Sequence, residues 1–206
     1  VSAAAPVVLA SQSPRRRELL DRLGIAHVVA PADVDETPHP AEQAVPYTRR
    51  LALDKARAVA ARLAGDAPAP IVIAADTTVV VDGAILGKPA DAAEAAAMLR
   101  RLSGRAHVVA TAVAVVRGVA EAAAVDEVAV HVRHLSDDEI AAYVATGEPM
   151  DKAGAYGIQG LGAALVPRID GDYYAVMGLG LVTMLRLVEE VGGRYEMGRG
   201  ILITGG

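Results

Sequence analysis

The run from Ile71 to Val81, reading Ile-Val-Ile-Ala-Ala-Asp-Thr-Thr-Val-Val-Val and followed by Asp82-Gly83, constrains the fold more than any other stretch. Its β-branched side chains suit a pleated, packed surface, and Asp-Gly is a favoured two-residue hairpin turn, so a long strand folding back on itself is expected. Asp76 sits in the middle of it. An ionised carboxylate inside an apolar strand is costly unless it is paired or metal-bound; the alternative is a place at a bulge or an open sheet edge. The return arm, Ala84-Ile-Leu-Gly-Lys-Pro89, brings Lys88 toward the same end of the sheet.

Other elements follow from periodicity and caps. Val7 to Ala10 and Ala26 to Ala30 read as short strands, and His107 to Val116 and Ala123 to Val132 as an antiparallel pair around Gly118. Between Pro46 and Leu63 apolar residues recur at Leu51, Val59 and Leu63, the spacing of a helix, with Lys55 at the missing step. A lysine on an apolar stripe either snorkels to water or meets an anion at the core edge. Asp91 with Glu94 and Ser136 with Glu139 open two further helices. Ala164 to Val166 and Tyr174 to Met177 are expected as short strands, Leu179 to Val191 as a closing helix, and 193–206 as a loose tail after a single domain over 1–192.

Composition removes several function classes. The 206 residues suit one domain, and 20 Lys and Arg against 25 Asp and Glu give a net charge of −5, which argues against general binding to nucleic acid or to acidic membranes. There is no Cys, hence no disulfide framework, thiolate nucleophile or cysteine zinc site, which fits a reducing cytoplasm. Every apolar run is broken by charge or glycine well before the roughly 18 residues of a membrane span, and Val1 to Pro6 lacks the features of a signal peptide. Neither a phosphate-binding G-x-x-x-x-G-K-[ST] loop nor a G-x-S-x-G elbow is present. His27, His39, His107, His131 and His134 lack HExxH spacing and read as structural or solvated.

The basic residues are therefore used locally. Leu9 to Leu20 reads as a strand end, a tight loop and a helix start, with Ser13 as N-cap and Pro14 at the first helical position. Arg15, Arg16 and Arg17 crowd its first turn, where the helix dipole disfavours cations and a bound anion would reverse the balance. At about 100° per residue, Arg16 falls on the apolar stripe of Leu19, Leu20 and Leu23, with Arg15 on its flank. Arg17 points to solvent, placed to pair with Asp21. Arg15, Arg16, Lys55 and Lys88 together suit a polyphosphate, and the acids Glu36 and Asp76 suit Mg²⁺, whose ligands are oxygens shared with substrate phosphates. That combination points to hydrolysis of a phosphoanhydride.

Ser11-Gln-Ser-Pro-Arg-Arg16, Ala75-Asp-Thr77, Gly87-Lys-Pro89, Ser103-Gly104 and Asp151-Lys-Ala-Gly-Ala-Tyr-Gly-Ile-Gln-Gly160 resemble, in order, the successive motifs of the Maf nucleotide pyrophosphatases, a likeness spanning Val7 to about Val191. The resemblance implies an elongated mixed α/β fold of the inosine-triphosphatase type, with two lobes around a central cleft, a homodimer and a requirement for a divalent cation, Mg²⁺ or Mn²⁺. It also implies cleavage of a nucleoside triphosphate to monophosphate and pyrophosphate. Asp76 matches the family's proton acceptor. Arg15, Thr77 and Gln159 match positions governing substrate choice, and Ser11, Arg16, Lys55 and Lys88 match phosphate contacts. Glu36 matches a metal-site or catalytic acid, with Asp33 and Asp35 in the same loop. Lys152 and Gln159 resemble the branch acting on dTTP and UTP, which implies those substrates and modified pyrimidine triphosphates. Gly180 stands where the family commonly has proline, a departure expected to loosen the start of the last helix. The alternatives are a non-catalytic nucleotide-binding regulator of cell division and a purine triphosphate house-cleaning enzyme.

Overall fold

The computed structural model describes residues 4–66 and 68–203. β1 (Val7–Leu9), β2 (Val28–Val29), β3 (Ile71–Val81), β5 (Ala106–Arg117), β6 (Ala120–His131) and β7 (Arg168–Asp170) form one mixed sheet in the order β2-β1-β3-β5-β6-β7, and β4 (Ala84–Leu86) pairs with β3. β1 runs parallel to β2 and β3, whereas the long β3, β5 and β6 are antiparallel neighbours. The hairpin predicted at Asp82-Gly83 forms, with Val81 opposite Ala84.

Alternation along β3 sends its residues to two different layers. Val72 and Ala74 pack with Ala52, Ala56 and Val59 of α2 (Ala44–Arg62). Ile71, Ile73 and Ala75 pack on the opposite face with Leu19 and Leu20 of α1 (Pro14–Arg22) and with Met184 and Leu187 of α6 (Leu181–Glu190). Further along the strand, Val79 and Val81 join a separate core made with Leu99 and Leu102 of α3 (Ala92–Leu102) and Ile140 of α4 (Asp137–Ala145). One strand thus threads both lobes of the α/β fold. Asp76, Thr77 and Thr78 lie between the two cores, where β1 has ended at the level of Ile73 and β4 has not begun until Val79. This break in the sheet edge is the floor of the cleft.

Three expectations need correction. Tyr173–Met177 is a short helix, α5, and not a strand: the Asp172 side chain accepts the Tyr174 N–H at 2.8 Å and Gly178, at φ 115°, ends it. A cap at each end outweighs the strand preference of Tyr and Val. The neighbouring strand lies at Arg168–Asp170, downstream of the expected Ala164 to Val166, because Gly160–Leu165 winds into a 3₁₀ helix. The expected loose tail is also ordered, since Gly193–Glu196 (β8) and Gly200–Ile203 (β9) form a hairpin. Ile201 and Leu202 are buried there, the Ala5 N–H donates to the Ile201 carbonyl at 2.9 Å, and the Tyr195 hydroxyl donates to the Leu23 carbonyl at 2.8 Å. Two apolar side chains removed from water supply what a tail would lack. Residues 1–3 and 204–206, within the stretches read as a start without a signal peptide and as the tail, lie outside the described residues.

Gly180, where a proline is expected to be more usual, is the N-cap of α6 and carries no side-chain cap bond. A Cβ at this position would sit 2.1 Å from Oδ2 of Asp126, whose Oδ1 accepts the Thr183 hydroxyl at 2.8 Å. The missing side chain makes room for a carboxylate from β6 at the positive end of the helix.

Candidate active site

A cleft of about 660 Å³ opens over the break in the sheet edge, lined by Ser11, Arg15, Arg16, Glu36, Lys55, Asp76, Thr77, Lys88 and Gln159. The structure therefore brings into one cleft the nine residues assigned to the site from the sequence. Among the described residues no histidine lines it. His107 is instead buried against Tyr156, His131 meets Asp170, and the His27 ring meets the Ile25 carbonyl.

The opening loop positions its arginines as the helix geometry requires. The Ser13 hydroxyl accepts the Arg16 N–H at 3.5 Å and Pro14 occupies the first turn. Arg16 lies inward: its Nε donates to the Gly178 carbonyl at 2.8 Å, Nη1 to the Ser11 hydroxyl at 3.1 Å and Nη2 to the Thr77 hydroxyl at 3.2 Å. Burial lowers its pKa and Asp76 opposes that, yet a guanidinium remains charged at any working pH. Gly178 suits this position through its backbone, whose φ of 115° L side chains rarely adopt; a Cβ there would make only ordinary contacts, 3.5 Å from Arg16 Nε and Thr77 Oγ1. Arg15 leans the other way and donates to Asp151 at 3.0 Å. Arg17 is exposed; the expected pairing with Asp21 is absent among the described residues, and Asp21 lies instead 3.9 Å from His27.

On the other face of β3, Lys55 extends from α2 between two carboxylates, Asp76 Oδ1 and Glu36 Oε1, each at 2.7 Å. Lys55 thus meets an anion at the core edge and does not snorkel away. Of the three acids in the loop, Glu36 is the one that reaches the site; Asp35 instead accepts the Thr37 N–H at 2.9 Å. Only 13% of the Asp76 side chain is exposed. Burial pushes its carboxyl above the ordinary value, against the pull of Lys55 and Arg16. A base held nearer neutrality is better matched to accepting a proton from water.

The far wall is the glycine-rich loop, fixed by residues that a linear reading leaves unassigned. Glu148 accepts the Tyr143 hydroxyl and the Leu161 and Gly162 N–H groups, each at 2.9 Å. Burial raises its carboxyl, but these donors win and hold it below the usual range. Asp151 takes both Arg15 and Lys152, and Tyr156 anchors to His107 beneath the loop at 2.7 Å. No spacing rule joins Tyr143 to Glu148 or His107 to Tyr156; only the folded loop does.

The cations of the cleft differ in how they are paired. Arg15 and Lys152 share Asp151, and Lys55 is held by Glu36 and Asp76. Among the described residues Arg16 and Lys88 have no carboxylate partner within ion-pair distance. These two cations, on opposite sides of Asp76 in the chain, leave the cleft an unmatched positive charge beside a buried acid. Glu36 and Asp76 are oxygen donors of the kind a hard divalent cation takes, and in the structure both converge on the Lys55 ammonium. No group of three His, Cys, Asp or Glu that could hold a metal occurs among the described residues, so such an ion would depend on further oxygens from a ligand.

The chain is 54% identical over 186 residues to a dTTP/UTP pyrophosphatase of Symbiobacterium thermophilum, covering 90% of this chain and 94% of that protein. It is 53% identical over 187 residues to the enzyme of the same name from Methylobacillus flagellatus, covering 90% and 92%. Among solved structures, a nucleoside-triphosphatase / dITP/XTP pyrophosphatase of Mycobacterium abscessus matches 62% of this chain and 72% of its own with a TM-score of 0.38 and 20% identity, a distant likeness only. The family model for Maf-like proteins matches residues 6–191, which takes in both lobes, the arginine loop and the glycine-rich wall, and the chain belongs to the Maf family.

Proposed function

We propose that this protein hydrolyses dTTP and UTP to the nucleoside monophosphate and pyrophosphate, and accepts modified pyrimidine triphosphates as well. The observation that carries the reading is Asp76, a mostly buried carboxylate held 2.7 Å from Lys55 in the same cleft as the unpaired cations Arg16 and Lys88. In this reading Arg16, Lys88 and Ser11 hold the triphosphate. Water attacks the α phosphorus, the bond from that phosphorus to the bridging oxygen breaks, and the proton of the water passes to Asp76. Lys55 keeps Asp76 ionised before the step and tied in place during it. Charge on the departing pyrophosphate is met by cations already fixed in position. Arg15, Thr77 and Gln159 line the part of the cleft we assign to substrate choice.

Glu36 and Asp76 are the residues that would hold Mg²⁺ or Mn²⁺. Such an ion supplies charge neutralisation on the phosphates and polarisation of the α phosphoryl group. We further place the enzyme in the cytoplasm as a homodimer, as in the family it resembles; the cysteine-free sequence is compatible with that compartment, and no helix among the described residues is long and apolar enough to cross a membrane. A purely regulatory nucleotide binder is disfavoured, because it gains nothing from a second carboxylate beside a triphosphate except repulsion or a metal.

The test is product identity across a panel of triphosphates, with Mg²⁺ and with chelator. Pyrophosphate released from dTTP and UTP ahead of ITP and XTP supports the reading. Preference for ITP or XTP, or binding without turnover, overturns it.

A further inference from the structure

The Arg16 guanidinium is held by a hydroxyl whose own proton is already committed, and the group that commits it is Thr111. Thr111 is fully buried on β5, opposite Thr77 in the sheet register. Its hydroxyl lies 2.7 Å from the Ala175 carbonyl, which can only accept, and 3.0 Å from the Thr77 hydroxyl. A threonine has one O–H to give and two lone pairs to offer. Thr111 gives its proton to Ala175, so the contact between the hydroxyls is made by Thr77 donating to Thr111. Thr77 is thereby left with lone pairs alone on its other sides, and one of them receives Arg16 Nη2 at 3.2 Å. Without Thr111 as acceptor the Thr77 proton would be free to rotate, and its lone pairs would not be held toward Arg16.

The far end of the relay closes on the same arginine. Ala175 lies in α5, and its carbonyl also accepts the Gly178 N–H at 2.9 Å; the Gly178 carbonyl in turn accepts Arg16 Nε at 2.8 Å. Thr111 is thus linked to two of the three supports of the guanidinium, through Thr77 on one side and through α5 and Gly178 on the other; the Ser11 hydroxyl is the third. We infer that Thr111, which does not line the cleft, is a positioning residue for phosphate binding: by fixing the polarity of the hydroxyl chain to Thr77 it fixes the plane of Arg16, and so sets the affinity for the triphosphate. The inference rests on the reading of Arg16 as a phosphate contact.

Thr111→Val keeps the shape and suits a strand but removes the hydroxyl, whereas Thr111→Ser keeps the hydroxyl. Steady-state kinetics with dTTP should show KM raised about tenfold in Thr111→Val, the upper end of what one net neutral hydrogen bond is worth, with kcat changed less than KM and with Thr111→Ser restoring the wild-type KM. In an Arg16→Ala background Thr111→Val should raise KM no further, because the group it positions is gone. A simple packing role would raise KM by the same factor in both backgrounds, and that result overturns the inference while leaving Arg16 its role. If Arg16→Ala alone leaves KM unchanged, the phosphate-site reading itself falls and the relay falls with it.

Discussion

His107 gives the sharpest link between this fold and a measurable quantity. It is 4% exposed on β5, with its ring edge-on to Tyr156 and Nδ1 buried without a hydrogen-bond partner among the described residues. A second ring proton would have no acceptor, and burial, helped by His131, lowers the pKa from 6.5 to about 4. The unfolded chain therefore takes up a proton near pH 6.5 that the native state refuses until about pH 4. The contribution is full above pH 6.5, falls as pH drops through that window and levels off below it. The difference in pKa corresponds to about 3 kcal/mol, or about 6–12 °C of Tm in a domain of this size. Urea denaturation followed by far-ultraviolet circular dichroism, from pH 7.5 to pH 4.5, measures it by comparison of wild type with His107→Gln. Glutamine can still bond the Tyr156 hydroxyl but does not titrate, and the carboxylates common to both chains cancel. The stability gap between the two should shift toward the variant by most of those 3 kcal/mol as pH falls. Parallel stability curves would refute the buried, neutral histidine.

Two further predictions separate neighbouring residues. Arg17→Ala should leave the KM for dTTP nearly unchanged, since Arg17 is exposed and outside the cleft, whereas Arg16→Ala should raise it by about tenfold or more through loss of a charge-assisted contact; equal effects in steady-state kinetics would show the helix faces to be wrong. Gly162→Ala would put a Cβ 2.1 Å from the Gly157 carbonyl and 2.6 Å from the Tyr143 hydroxyl, while Gly87→Ala meets nothing within 4 Å. The first should destabilise by about 1–3 kcal/mol through overpacking and the second by less than about 1 kcal/mol, as read by thermal denaturation.

How much of this was legible in the sequence depended on whether the deciding interaction was local. The Asp82-Gly83 hairpin, the Ser13 and Ser136 caps and the Lys55 step on the α2 stripe are set by residues a few positions apart, and they stand as read. The helix at Tyr173–Met177 has its caps, Asp172 and Gly178, beside it in the chain, but the alternation of apolar residues across it also fits a strand. The terminal hairpin could not be read, because what orders it is contact of Ile201 with Ala5 and of Tyr195 with Leu23, far apart along the chain. At the site the same division holds. The cations and acids could be named one by one, and Glu36 could not be told from Asp33 and Asp35 until Lys55 was seen to reach it. That Lys55 sits between Glu36 and Asp76, and that Arg16 and Lys88 are the cations left unpaired, are properties of the folded cleft.

The central claim is that Asp76 decides turnover while the surrounding cations hold the substrate. It is tested most directly by kcat for dTTP in wild type and in Asp76→Asn, with a fold check by circular dichroism and with pyrophosphate as the measured product. Loss of kcat by a factor on the order of 10²–10⁴ in a folded variant that still binds dTTP is the predicted result. A folded Asp76→Asn enzyme that releases pyrophosphate at close to the wild-type rate would contradict the account.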